Sequence, residues 1–164
     1  MNLFYLDQNP KKCAEYHCDK HVCKMIVETA QMLSTAHHTN KNVSFAIINK
    51  LYKPAYTHHP STKWIGHTKG NYEYAYELFE NLLEQYTYRY KKTHACERLL
   101  SPLRIKPRFI DMGGFYDPPQ CMPDKYKTTR TSDDFTVIAY RNYYMGDKKR
   151  FAKWNHSISP FWFK

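Results

Sequence analysis

Residues 9–38 read NPKKCAEYHCDKHVCKMIVETAQMLSTAHH, and this stretch decides how the rest of the chain folds. Asn9 can cap a helix, and Pro10 suits the first turn because that position needs no hydrogen-bond donor. No helix-breaking residue follows before about Thr39, so the pattern predicts one long helix. Between residues 22 and 33 most side chains are apolar, which predicts that the helix is largely buried.

One face of this predicted helix is polar. At about 100° per residue, its polar side chains fall on a single stripe. The stripe contains Cys13, His17, His21, Lys24, Glu28 and Gln31. It can be interpreted as a solvent-exposed face, but such faces are usually built from pairs of Lys and Glu. The mixture of imidazoles, an ammonium and a carboxylate is more typical of the floor of a cleft.

The whole sequence predicts a mainly α protein, a compact single-domain helical bundle over residues 1–164 with long proline-rich irregular segments. The other predicted elements are an apolar strand or strap at 2–6, a short helix at 43–51, a helix from Pro60 or Ser61 to Tyr90, a short helix at 95–100, a helix from Ser132 to Gly146 and a short basic helix at 147–154. No apolar run approaches the ~18 residues of a membrane span, so we expect no membrane partner.

The charge balance favours an anionic partner. The chain has 25 Lys and Arg residues against 15 Asp and Glu residues, a formal net charge of +10. This excess favours nucleic acid or a small phosphorylated nucleotide as the partner. The 15 tyrosines, 9 phenylalanines and 3 tryptophans could stack on bases beside the phosphate contacts, or could form an aromatic core under a basic surface.

The cysteines point to a reducing compartment. There are five of them, an odd number, and none forms a Cys-x-x-Cys pair. Neither a disulfide framework nor a zinc ribbon is indicated, and we expect a cytoplasmic protein, in the host cytoplasm if it is encoded by a phage.

Glu28 is the strongest candidate for a catalytic carboxylate. It stands in the middle of the long helix between apolar neighbours, with His21 and Lys24 within two turns. Such a carboxylate would be partly desolvated and could take part in acid–base chemistry. The alternative is a buried structural Glu paired with Lys24 or with an arginine.

His17 and His21 are candidate acid–base or phosphate-contacting residues. Their spacing of four residues also permits a shared metal ion, which Cys13 and either His58 or His59 could complete. The stronger His-Glu-x-x-His motif is absent, so we expect no metal and no cofactor.

Two further segments are candidates for phosphate binding. The first is the loop with His58 and His59, which precedes a helix whose amino terminus can attract anions; simple helix capping is the alternative. The second is the basic and aromatic cluster around the last predicted helix, which includes Arg141, Tyr144 and Lys148. It could clamp a phosphate, or could be a solvated helix end.

The order of these motifs resembles a known family. The chain has DKHVCKMIVETAQML at 19–33, HPSTKW at 59–64, YRNYY at 140–144 and FAKW at 151–154, followed by PFW at 160–162. In this order they resemble phage and bacterial proteins related to the endonuclease V-type pyrimidine-dimer DNA glycosylases. The resemblance implies a compact, mostly helical domain that excises damaged pyrimidines and then nicks the strand.

The resemblance also implies roles for particular residues. In that family the N-terminal α-amine is the nucleophile and a glutamate on the first long helix assists it, which would make Glu28 that glutamate and place Lys24, His21 and Arg141 near the phosphates. A small second residue normally lets the initiator methionine be removed. Asn2 should instead keep Met1 in place, so the amine would be that of Met1, or would not serve as the nucleophile.

We therefore expect a base-excision enzyme of the DNA glycosylase/lyase type. A second hypothesis is a phage counter-defence protein that sequesters or cleaves a small nucleotide immune signal, such as a cyclic dinucleotide or an ADP-ribose derivative, because the same basic and aromatic cleft would suit it. This hypothesis also allows a homo-oligomer with pockets between subunits. A third hypothesis is a DNA-binding module without catalysis.

Overall fold

A computed structural model describes all 164 residues, and it consists of helices joined by irregular segments, with no strands. The seven α-helices are α1 Pro10–Tyr16, α2 Asp19–Thr39, α3 Val43–Ile48, α4 Pro60–Ile65, α5 Lys69–Tyr90, α6 Leu100–Leu103 and α7 Phe135–Tyr143. Two 3₁₀ turns at Ala95–Leu99 and Asp124–Tyr126 and a π-helical turn at Tyr144–Lys148 complete the set. The prediction of a mainly α fold is confirmed.

The predicted long helix at 9–38 is wrong in one respect, because it is two helices. The chain is extended at His17 and Cys18, and the backbone groups exposed by this break have partners elsewhere in the fold. The His17 carbonyl accepts a hydrogen bond from Arg89, and the Cys18 N–H donates one to the hydroxyl of Tyr144. Asp19 then begins α2, where an acidic side chain complements the helix dipole.

The predicted helix from Pro60 to Tyr90 is also divided. Gly66 ends α4, and the Thr68 side chain caps α5 by accepting from the N–H of Asn71. Gly70 is required in the first turn of α5 because a Cβ atom there would overlap the backbone nitrogen of Phe115. The proline-rich segment therefore packs directly against the start of α5.

The third long helix begins later than predicted. α7 starts at Phe135, and the carboxylate of Asp134 accepts from the side chain of Gln8 instead of capping the helix. The predicted basic helix at 147–154 is wrong: beyond the π-helical turn this segment consists of turns and irregular chain. The short helices predicted at 43–51 and 95–100 are found at α3 and at the 3₁₀ turn before α6.

The core lies where α1 and α2 pack on α5. The first residues of the chain are an apolar strap, and residues 3–6 are all buried. On one side of the strap Tyr5 contacts Tyr74 of α5, and on the other Phe4 stacks on Tyr143 of α7. Because the strap is held on both sides, the start of the chain is fixed next to α2. No helix combines the length and the apolar character needed to cross a bilayer.

Candidate active site

The carboxylate of Glu28 faces the first two residues of the chain. Its Oε2 atom accepts a hydrogen bond of 2.8 Å from the backbone N–H of Asn2 and lies 4.0 Å from the α-amine nitrogen of Met1. The Glu28 side chain is only 13% exposed, so water screens this pair less than it screens a surface pair. An amine, which is a nucleophile when neutral, thus lies beside a carboxylate that can accept a proton.

Lys24 lies on the solvent side of Glu28. Its Nζ atom is 3.4 Å from Oε1 of Glu28, and the lysine side chain is 61% exposed. A pair this exposed contributes little to stability. The ammonium of Lys24 can instead approach an anion that enters from solvent.

The loop before α4 forms a second wall. The Thr62 hydroxyl donates to Sδ of Met1 at 3.7 Å, and Nδ1 of His59 accepts from the N–H of Ser61 at 3.2 Å. Burial lowers the pKa of His59, the positive N-terminus lowers it further, and Glu28 partly offsets both effects. The neutral ring therefore carries its proton on Nε2.

A loop from the second half of the chain completes the surroundings of the amine. The side-chain amide of Asn2 donates to the carbonyl of Cys121 at 2.8 Å. The hydroxyl of the buried Tyr140 holds this loop, because it donates to the Pro119 carbonyl at 2.7 Å and accepts from the N–H of Cys121 at 3.3 Å. Asn2 and Cys121 are 119 residues apart, and no local pattern in the sequence identifies them as partners.

His17 and His21 lie in the core and not at the surface of a cleft. They are 0% and 4% exposed, and their Nδ1 atoms are hydrogen bonded to the Cys13 carbonyl and the Tyr144 hydroxyl. Burial lowers the pKa of His17 to about 4 and that of His21 to about 2. Both rings are neutral at physiological pH and are shielded from a substrate, so a catalytic role for them stays a prediction that this burial does not favour.

The buried histidine His17 predicts a loss of stability in acid. In the unfolded chain His17 titrates near its ordinary value of 6.5, whereas in the fold burial lowers its pKa to about 4. The stability that the neutral, buried His17 contributes to the fold is complete above pH 6.5. It is lost as the pH falls, because the unfolded chain takes up the proton first. Between pH 7 and pH 5 we expect His17 to remove about 2 kcal/mol from the free energy of unfolding.

Urea unfolding of the wild type and of His17→Gln at both pH values measures this difference. The variant should lose less stability than the wild type between pH 7 and pH 5. His156→Gln, at an exposed histidine, is the control and should behave like the wild type. Equal losses in all three proteins would contradict the prediction.

The remaining predicted residues do not form one cluster. Arg141 donates to the Leu6 carbonyl and to Asp7, so its guanidinium anchors the strap. Tyr144 is fully buried against His21. His58 is exposed next to His59, which the structure does bring close to Glu28.

Lys148 lies near the start of α2, as Lys20 and Lys24 do. Burial is the main cause of the lowered pKa of His21. Positive charge on His17, Lys148, Lys24 and Lys20 lowers this pKa further. Lys148 also lies 4.4 Å from the centre of the Tyr143 ring. Lys20, Lys24 and Lys148 therefore all add positive charge around His21 at this end of α2.

An apolar depression of about 440 Å³ opens beside the loop before α4. It is lined by Pro60, Lys63, Trp64, His67, Tyr116, Asp117 and Pro119. A larger depression of about 540 Å³ lies between α1, α5 and the end of the chain, and it contains none of the predicted site residues. No group of three or more His, Cys, Asp or Glu side chains is arranged to hold a metal ion.

Comparison with known families gives a match over the first part of the chain. The family described as "Pyrimidine dimer DNA glycosylase" matches residues 1–98, which include Met1, Asn2 and Glu28. The loop at Cys121 and the helix α7 lie outside the matched part. No curated protein and no solved structure matches the chain.

Proposed function

The chain belongs to the pyrimidine dimer DNA glycosylase family, and on this premise we propose that it removes a damaged pyrimidine from DNA and then cleaves the strand, with the α-amine of Met1 as its nucleophile. The observation that carries the proposal is the position of this amine 4.0 Å from Glu28 Oε2. Asn2 and Glu28 hold the amine at a fixed place through a hydrogen bond of 2.8 Å. The family match supports the glycosylase hypothesis, and it lends no support to the counter-defence hypothesis.

The chemistry begins with attack on the sugar. The nitrogen of Met1 forms a bond to C1′ as the bond from C1′ to the base breaks, and the base leaves with the electron pair and takes up a proton. Opening of the sugar ring gives a Schiff base between the nitrogen and C1′. Loss of a proton from C2′ then expels the 3′ phosphate, and water hydrolyses the Schiff base to release Met1.

Glu28 has two roles in this sequence. Its carboxylate can accept a proton from the Met1 ammonium, which makes the amine nucleophilic. Its negative charge then stabilises the cationic nitrogen of the Schiff base. Because Glu28 is largely buried, both effects are stronger than they would be at a solvated surface.

The DNA backbone would lie across the exposed positive charges. Lys24 pairs with Glu28, Lys20 and Lys148 lie near His21 at the start of α2, and His59, with His58 beside it in the chain, lies near the amine and Glu28. We assign phosphate contacts to these side chains because each can present an N–H donor to an anion.

The apolar depression beside α4 gives an unpaired base a place to stack. Reaching C1′ inside a duplex requires that a nucleotide leave the stack, which costs a few kcal/mol. The ring of Tyr116, which is 45% exposed, can offset part of this cost by stacking on a displaced base, next to the buried ring of Trp64. Both residues line the depression, and Pro60 connects it to the loop of His59.

Trapping of the Schiff base tests the proposed function. Sodium borohydride reduces a Schiff base to a stable amine, so incubation with a duplex that contains an abasic site or a thymine dimer should join protein and DNA covalently. Digestion with trypsin should place the link in the peptide of residues 1–11, at the α-amine of Met1.

A protein with extra residues before Met1 is the matched control, because it keeps every side chain but moves the amine away from Glu28. It should melt at the wild-type temperature and form no link. A link at Lys24, or the absence of any link in the wild type, would contradict the proposal.

A further inference from the structure

Asn2 makes more hydrogen bonds than a residue at a free chain end usually does. Its backbone N–H donates to Glu28 at 2.8 Å, and its side-chain amide donates to the Cys121 carbonyl at 2.8 Å. Its Oδ1 atom accepts from the backbone N–H of Leu3 at 2.8 Å. Termini are normally among the most mobile parts of a domain. Here the second residue makes four hydrogen bonds, because its Oδ1 atom also accepts from the Tyr140 hydroxyl at 3.3 Å.

These bonds fix the direction in which the amine points. The Met1 amine is one residue away from the Asn2 N–H, so the bond from that N–H to Glu28 keeps the amine near the same carboxylate. Rotation about the backbone of Asn2 would move the amine, and the side-chain bonds to Cys121 and Leu3 resist this rotation.

The other half of the contact comes from the part of the chain that the family match does not cover. The Cys121 carbonyl is held in place because the Tyr140 hydroxyl bonds to both Pro119 and Cys121. Tyr140 is completely buried on α7, so it is a rigid support for the loop. The position of the amine thus depends on a contact between the first residues and the loop 119–121.

We infer that Asn2 is a positioning residue that holds the Met1 amine against Glu28 by clamping the start of the chain to the loop at Cys121. We call Asn2 with its bonds to Glu28, Cys121 and Leu3 the Asn2 latch. The inference rests on the proposed function, because it is the reaction of the amine that needs the latch. Displacement of a reacting atom by about 1 Å can cost about 10²-fold in rate, so a small loosening has a measurable effect.

Asn2→Leu is the test of the latch. Leu is similar in size, so Met1 should be retained, which the intact mass verifies, and the backbone bond to Glu28 remains possible. The side-chain bonds to Cys121 and Leu3 are lost. At saturating abasic duplex we expect the rate of borohydride-trapped Schiff base formation to fall by about 10- to 100-fold, with the Kd for an uncleavable duplex unchanged within about twofold.

Hydrogen exchange gives a measurement that does not depend on catalysis. The amide of residue 2 should exchange at least about tenfold faster in Asn2→Leu than in the wild type, because the latch no longer protects it. Asn2→Asp is a second variant: it keeps an acceptor for Leu3 but has no donor for the Cys121 carbonyl, so it should show the same two effects. Asn81→Leu is the control, because it removes a similar amide bond to a backbone carbonyl on the exposed surface of α5.

The outcomes separate the latch from the proposed function. Unchanged exchange at residue 2 in Asn2→Leu would overturn the latch, and faster exchange with a wild-type trapping rate would overturn its positioning role. A rise in Kd as large as the fall in rate would show a general loss of structure and would also overturn it. If the wild type forms no Schiff base, the proposed function and the positioning role both fail, while the exchange rates still decide whether the latch exists.

Discussion

Glu28→Gln is expected to slow strand cleavage by about 10²- to 10³-fold and to leave DNA binding intact. Gln has the same shape, and its side-chain carbonyl can still accept the hydrogen bond from Asn2. It cannot accept a proton from the Met1 amine, and it has no negative charge to stabilise the Schiff base. The loss should therefore appear in the rate at saturating DNA and not in the Kd.

Single-turnover cleavage of an abasic duplex and a parallel binding titration measure the two quantities. Glu84→Gln, at an exposed position of α5, removes the same charge from the protein and should cleave at the wild-type rate. A DNA-binding module without catalysis would bind DNA equally well with Glu28→Gln and would cleave it in neither form. Cleavage by this variant at the wild-type rate would remove Glu28 from the mechanism.

Arg89→Met is expected to lower the free energy of unfolding by about 3–5 kcal/mol. The Arg89 side chain is 0% exposed, and all five of its N–H groups have partners. It binds the Asp19 carboxylate at 3.1 Å and the His17 carbonyl at 2.8 Å, so it joins α5 to the break between α1 and α2. Met fills similar volume but leaves a buried carboxylate without its cation.

Thermal unfolding tests this prediction, and for a domain of this size the expected loss corresponds to a fall in Tm of about 10 °C. Arg98→Met is the control, since Arg98 is exposed, and it should change Tm by about 2 °C or less. Removing the carboxylate as well, in Arg89→Met with Asp19→Leu, should recover part of the loss. A Tm of Arg89→Met within the range of the control would contradict the prediction.

The helices and the core were largely predictable because their signals are local. The apolar residues of α5 recur at spacings of three and four, which is typical of a helix with one buried face, and Tyr72 and Phe79 of this pattern are buried. Gly66 and Thr68 mark the break between α4 and α5. Gly is common where a helix ends, and Thr is common as the cap where a helix begins. The break at His17 has a weaker signal, the acidic Asp19 at the start of α2.

The site was predicted only in part. Glu28 and Lys24 were predicted as site residues from their place on the polar face of α2, and the resemblance drew attention to the amine of Met1. The role of Asn2 was not predicted beyond the retention of Met1, because its partner Cys121 is 119 residues away. A contact over that distance depends on the packing of the strap and on the loop that Tyr140 holds.

The sequence by itself determined that the chain is helical and basic, and that a carboxylate stands within the helix now defined as α2. Helical periodicity is a local property of the sequence, and net charge is a sum over its residues, so neither depends on the tertiary structure. The tertiary structure alone decided which polar residues surround the Met1 amine. His17 and His21 share a stripe with Glu28 in a continuous helix, but the break at His17 and the packing of Tyr144 bury both imidazoles. Glu28 instead faces the start of the chain, since the buried strap brings Met1 and Asn2 to its side.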